Sequence, residues 1–181
     1  MFYDLPTQIQ DQFEHVQWAF KRLTLPKVPG DLWLIVNGIG GMWELKSKMS
    51  ANTPLMLSNM IIPHQFQYAT KIEVYGGGFY YFLICNRIKA DSHYVLVFTR
   101  EEVREILIAE EEMKKRKGWS KSGWSWDELA SFTHIEVIVA QNRRTCKSRY
   151  FTKWDYTPII LDIQERFLNS KYHTEVIRCQ N

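Results

Sequence analysis

The period of the hydrophobic positions changes along the chain, and each change marks an element. Ile9, Phe13, Val16 and Phe20 recur at spacings of four, three and four, which predicts a helix over residues 7–21 with Thr7 able to cap it. A loop at residues 23–30 holds two prolines. Residues 31–37 then read as a buried strand, by their length and their β-branched and aromatic content. Three glycines within residues 38–41 predict a tight turn, and residues 42–46 return as the second strand of a hairpin. A polar loop at residues 47–53 leads through an apolar stretch to a second helix at about residues 64–74, which Gly76, Gly77 and Gly78 end. Residues 79–87 predict another apolar strand, with residues 94–99 as its neighbour. Thr99 with Glu102 forms a capping-box signature for a third helix running to about Lys117, with Val103, Ile106, Leu107 and Met113 facing inward. Ser125 with Glu128 repeats the signature for a short helix, residues 134–140 alternate toward a strand, and residues 157–168 close the chain as a strand or a helix. This order of elements predicts an α/β fold, a mixed β-sheet flanked by helices.

Composition narrows the class. At 181 residues the chain is the size of one domain, which buries about 70% of its unfolded surface, and no repeat, linker or low-complexity segment divides it. We therefore expect a single domain over residues 1–181, with its core at about residues 7–100 and a basic C-terminal part at about residues 114–181. A charged fraction of 24% excludes a disordered tail. Cys85, Cys146 and Cys179 lack the spacing of a zinc site or a redox pair, so a reducing, intracellular setting with the thiols as packing residues is expected. The N-terminus has neither a basic nor an apolar leader region, and the longest apolar run, residues 79–85, is far too short to span a bilayer. No membrane association and a cytoplasmic location follow as expectations.

The candidate chemistry lies in the hairpin. Asp31 precedes Glu44 by 13 residues, and Glu44, Leu45 and Lys46 form a carboxylate-x-Lys triplet. Alternation along a strand puts Glu44 and Lys46 on one face and Leu45 on the other, and the hairpin brings Asp31 to the same end. Two carboxylates among Trp, Leu, Ile, Val and Met repel each other unless a cation lies between them, and oxygen ligands favour Mg²⁺, with Mn²⁺ able to substitute. A lysine beside that metal can orient or help deprotonate an attacking water, so these groups suit phosphodiester hydrolysis. Ordinary strand-end charges are the competing reading. A second triplet, Glu112-Met113-Lys114, lies among Glu110, Glu111 and Lys115 on a predicted solvent-facing helix and reads as a solvated charge run. Gln65 shares a helical face with Ala69 and Ile72, where an apolar residue is expected. Its amide is either a structural hydrogen-bonder or a group that reaches the metal-bound water or the phosphate.

Pro29-Gly-Asp31, Glu44-Leu-Lys46, Leu57-Ser-Asn59, His64-Gln65 and Gly76-Gly77 with Phe79 and Phe82 resemble the RecU-type Holliday junction resolvases. Those enzymes belong to the PD-(D/E)XK nuclease superfamily, with its restriction-endonuclease-like fold, and the resemblance covers about residues 29–84. It implies a Mg²⁺-dependent endonuclease that nicks four-way DNA junctions, with Asp31 and Glu44 binding the metal, Lys46 assisting the nucleophile and Gln65 organising the site. Resolving a two-fold junction takes two symmetric cuts, which implies a homodimer with one site in each chain. Glu14, on the first predicted helix, is either a third acidic group, as N-terminal glutamates are in archaeal-type resolvases, or a surface residue. Another nuclease of the same superfamily, restriction-like or flap-cleaving, and a nonenzymatic DNA-binding protein are the alternatives.

Charge changes the picture only when it is divided. The net charge is +3, yet ten of the 23 Lys and Arg fall in two acid-free stretches, residues 114–124 and 141–154, interleaved with Trp119, Trp124, Tyr150, Phe151 and Trp154. Such stretches bind phosphate, and their rings can stack on splayed bases. Arg143, Arg144, Lys147 and Arg149 are the DNA-contact candidates of the second stretch, and Lys48 is a further one beside Lys46. A solvated loop is the other reading of the first stretch. His15, His93, His134 and His173 have no ligand spacing to one another, His64 reads as a local hydrogen-bonder at a helix start, and Trp18, Trp33 and Trp43 read as core.

Overall fold

The computed structural model describes residues 30–36, 38–48, 54–87, 93–116, 123–136, 138–142 and 151–168. The predicted first helix with Glu14, and the basic residues Arg143, Arg144, Lys147 and Arg149, lie outside the described residues. Strands β1 (Leu32–Val36), β2 (Ile39–Lys48), β3 (Phe79–Arg87), β4 (His93–Thr99) and β5 (Ile135–Glu136) form one mixed sheet in the order β1-β2-β3-β4-β5. The β2–β3 pair is parallel and the others are antiparallel. Helices α1 (Leu57–Met60) and α2 (Pro63–Thr70), the latter continuing as a π-helical turn over Lys71–Tyr75, lie in the crossover that a parallel β2–β3 pair requires. Helices α3 (Arg100–Lys115), α4 (Trp126–Ala130) and α5 (Thr157–Ile163, followed by a π-helical turn at Gln164–Leu168) complete the two outer layers.

Strand β3 explains the layering. Residues 79–85 are all fully buried, because alternate side chains enter two separate cores. Phe79, Tyr81, Leu83 and Cys85 join Leu32, Leu34, Val36, Trp43, Val95 and Val97 beneath α5, which contributes Ile159, Ile160 and Ile163. Tyr80, Phe82 and Ile84 join Leu96 and Phe98 beneath Leu57, Ala69, Val103, Ile106 and Leu129. Each large side chain buried this way contributes about 1.5–3 kcal/mol. The final segment, expected as a strand or a helix, is helical because Ile159, Ile160 and Ile163 fall on one face over that first core.

Several sequence expectations change. Strand β1 buries only alternate residues, and Trp33, expected in the core, is 43% exposed. Leu32, Leu34 and Val36 take the face of β1 that enters the core, which leaves Trp33 on the less covered face, whereas Trp43 on β2 is fully buried. The hairpin turn is shorter than the glycine cluster implied. Val36 pairs with Ile39, leaving two residues between the strands, and Gly38 supplies the positive φ of 78°. Gly40 and Gly41 belong to β2, and a side chain at Gly41 would collide with the ring and carbonyl of Phe79 on the adjacent strand. Residues 134–140 divide between two sheets: β5 pairs with β4, while β6 (Ile138–Asn142) pairs with β7 (Phe151–Asp155) in a separate two-stranded sheet. An alternating pattern gives the period of a strand and leaves its partner open. Both capping boxes form, with Thr99 Oγ1 and Ser125 Oγ accepting from the N–H groups of Glu102 and Glu128. Among the described residues, no helix is long and apolar enough to cross a membrane.

Candidate active site

The hairpin register sets the first two carboxylates side by side. Leu32 pairs with Trp43, and one further step of the same register puts Asp31 opposite Glu44. The Asp31 N–H donates to Trp43 O at 2.9 Å, and Asp31 Oδ2 accepts from the Leu45 N–H at 2.8 Å. Leu45 packs against the α5-side core, so Glu44 and Lys46 project from the opposite face, the one that carries α2 and α3. Asp31 is exposed, whereas Glu44 is 4% exposed.

A buried carboxylate needs a counter-charge and donors, and Glu44 has both. Lys46 Nζ lies 2.7 Å from Glu44 Oε1. Gln65, in the first turn of α2, donates from Nε2 to the same Oε1, while its own Oε1 accepts from the Ile62 N–H at 3.2 Å. One amide therefore ties off the start of α2 and reaches the carboxylate, which makes Gln65 a structural hydrogen-bonder at both ends of its amide. Tyr80 Oη donates to the second oxygen, Glu44 Oε2, at 3.3 Å. Burial pushes the Tyr80 phenol pKa up, and the charge of Glu44, its hydrogen bond and the charge of Asp31 push it further in the same direction. The phenol thus remains a protonated donor at neutral pH, and it senses both carboxylates.

Asp31, Glu44, Lys46 and Gln65 are therefore brought together. Lys48 ends β2, and its side chain lies outside the described residues, as do Glu14, Arg143, Arg144, Lys147 and Arg149. Of the first basic stretch, Lys114, Lys115 and Arg116 are exposed, and Lys114 Nζ donates to Ser58 Oγ at 3.3 Å. Trp124, expected among rings that stack on bases, is instead half-buried. Its Nε1 donates to Glu110 Oε1 at 3.0 Å, its ring meets Phe132 edge-on, and its backbone pairs with Leu55. His64 is exposed, with its ring edge-on to Tyr68.

Sequence reasoning missed two groups here. Tyr80 was hidden inside the apolar run of β3; its signal is the parallel pairing of β3 with β2, which places it on the Glu44 face one alternate position from Phe82. Glu110, expected in a solvated charge run, is fully buried. It accepts from the Leu57 N–H at 2.6 Å, the Ser58 N–H at 3.0 Å and Trp124 Nε1. It lies one helical turn from Ile106 on the inward stripe of α3, which is the physical reason for its burial.

The donor set fits a hard divalent cation in kind. Among the described residues, no group of three or more His, Cys, Asp or Glu gathers as a metal cluster. Asp31 and Glu44 carry carboxylate oxygens, the donor type that Mg²⁺ and Mn²⁺ prefer. Compared with known proteins, the chain matches no family model and no curated protein.

Proposed function

We propose that this protein is a metal-dependent DNA endonuclease with a restriction-endonuclease-like fold, acting on branched DNA and nicking four-way junctions as a homodimer. The observation that carries the reading is the set around Glu44: a buried carboxylate ion-paired to the lysine two residues on, bonded to the α2 amide, with Asp31 opposite it across the hairpin. Asp31 and Glu44 would hold Mg²⁺, which, when bound, polarises the phosphate and stabilises the leaving oxygen. Lys46 Nζ holds donor protons where an attacking water is to be oriented. Gln65 fixes the Glu44 carboxylate from one side and can turn its amide toward the water or the phosphate. The reaction is hydrolysis: a water oxygen bonds phosphorus, a P–O ester bond breaks, and the water's hydrogens are shared between the phosphate monoester and the alcohol. Exposed Asp31 at the sheet edge gives a DNA strand access to the buried pair.

A second reading within the same chemistry, a flap-cleaving or restriction-like nuclease, is favoured by one feature of the sequence. RecU-type resolvases insert a protruding stalk before the aspartate, whereas only residues 23–30 separate the predicted first helix from Asp31. Labelled four-way junction, flap and linear duplex incubated with and without Mg²⁺ separate the readings. Paired symmetric nicks on the junction support the first, cleavage of flap or duplex supports the second, and metal-independent binding without cuts overturns both.

A further inference from the structure

We infer that Tyr80 is a positioning residue for the metal-binding carboxylate, setting the rotation of the Glu44 side chain through the hydrogen bond from its phenol to Oε2. The inference rests on the reading of Asp31 and Glu44 as metal ligands. The last torsion of a glutamate is broad, so one anchored oxygen leaves the carboxylate plane free to turn. Lys46 and Gln65 both meet Oε1, and a donor on Oε2 is what fixes the plane.

Tyr80 is itself held on three sides. Its ring packs against Phe82 with centroids 5.0 Å apart. Its backbone N–H donates to Glu73 Oε1 at 3.2 Å, and Glu73 Oε2 is ion-paired to Arg100 Nε at 2.9 Å. The parallel register with β2 sets it beside Met42, one alternate position from the Phe82–Glu44 pair. A chain of contacts thus runs from the start of α3, through the π-helical turn, to the carboxylate. A ligand held this way meets a cation with its geometry already set, and loss of such an outer partner typically weakens metal affinity about 10-fold or more.

The test compares Tyr80→Phe with Tyr81→Phe. Each removes one buried phenolic oxygen and keeps the ring, but the Tyr81 hydroxyl meets Asp162, on the other face of the sheet. Mn²⁺ affinity is read directly from the free-ion signal in electron paramagnetic resonance, with a thermal melt of each variant alongside. The expected result is a dissociation constant for Mn²⁺ raised about 10-fold in Tyr80→Phe and unchanged in Tyr81→Phe. Equal Mn²⁺ affinity in Tyr80→Phe and the parent, or equal weakening in Tyr81→Phe, overturns the positioning role. If the parent chain binds no Mn²⁺ that Glu44→Ala loses, the metal-site reading fails, and the inference with it.

Discussion

Glu110 shows how much one side chain can hold. Its carboxylate accepts both N–H groups at the start of α1 and the indole of Trp124, and so joins α3, α1 and the segment before α4 at one buried point. Truncation to Ala leaves two backbone donors and an indole without an acceptor, and we expect Glu110→Ala to lower stability by about 3 kcal/mol, with Glu110→Gln costing less because one acceptor oxygen survives. Urea denaturation of the three proteins checks this, and equal stability in parent and Glu110→Ala would contradict the role. The inward stripe of Val103, Ile106, Leu107 and Met113 passes through position 110, but a glutamate in a row with Glu111 and Glu112 looks solvated until its tertiary partners, the N–H groups of α1 and the Trp124 indole, are known. That Glu44, Lys46 and Gln65 meet was legible because strand alternation and helix phase are local: alternation put Glu44 and Lys46 on one face, and phase put Gln65 where an apolar residue was expected.

Between elements, the clearest link is a bridge of three side chains. His134 Nδ1 lies 2.6 Å from Glu102 Oε1 at the start of α3, and its Nε2 lies 2.8 Å from Asp162 Oδ1 on α5. Asp162 also takes the Tyr81 hydroxyl and lies 3.7 Å from Arg166, which in turn pairs with Glu101. Burial alone would lower the imidazole pKa, but the hydrogen bonds and charges of Asp162 and Glu102 outweigh it, and the net shift is upward from 6.5. A raised folded-state pKa adds stability that is fully present below the unfolded value and is lost as pH rises through the folded value. The ring is 54% exposed, so solvent screens the contribution. The melting temperature of the parent should therefore fall more than that of His134→Gln as pH rises from about 6 through and above the ordinary imidazole value. Parallel curves for the two proteins would rule out the bridge as the cause. At this scale the helices with capping boxes were legible, because Thr99 with Glu102 and Ser125 with Glu128 are fixed by sequence spacing. The division of residues 134–140 between two sheets and the exposure of Trp33 were not, because strand partners and sheet edges are set by the whole topology.

For the whole molecule, the net charge of +3 conceals a partition. Residues 101–112 carry six Glu against one Arg. The structure buries or pairs part of that acidic run: Glu110 is buried, Glu102 meets His134, and Glu101, itself exposed, meets Arg100 and Arg166. Acidic charge facing solvent is therefore smaller than the tally, while Lys114, Lys115 and Arg116 remain exposed at the end of α3. DNA affinity should fall steeply with salt, with a log–log slope of about −4.5 if five phosphates are neutralised. A slope near zero in a salt titration would remove phosphate contacts from the account.

If the Asp31–Glu44–Lys46 set cuts DNA, the Mg²⁺-dependent nicking rate on a labelled four-way junction will separate the parent chain from Glu44→Ala, each confirmed folded by its melting curve. The parent should give paired nicks, and the variant a rate lower by about 1,000-fold or more if Glu44 both holds the metal and partners Lys46. Equal cutting by Glu44→Ala and the parent would contradict that assignment.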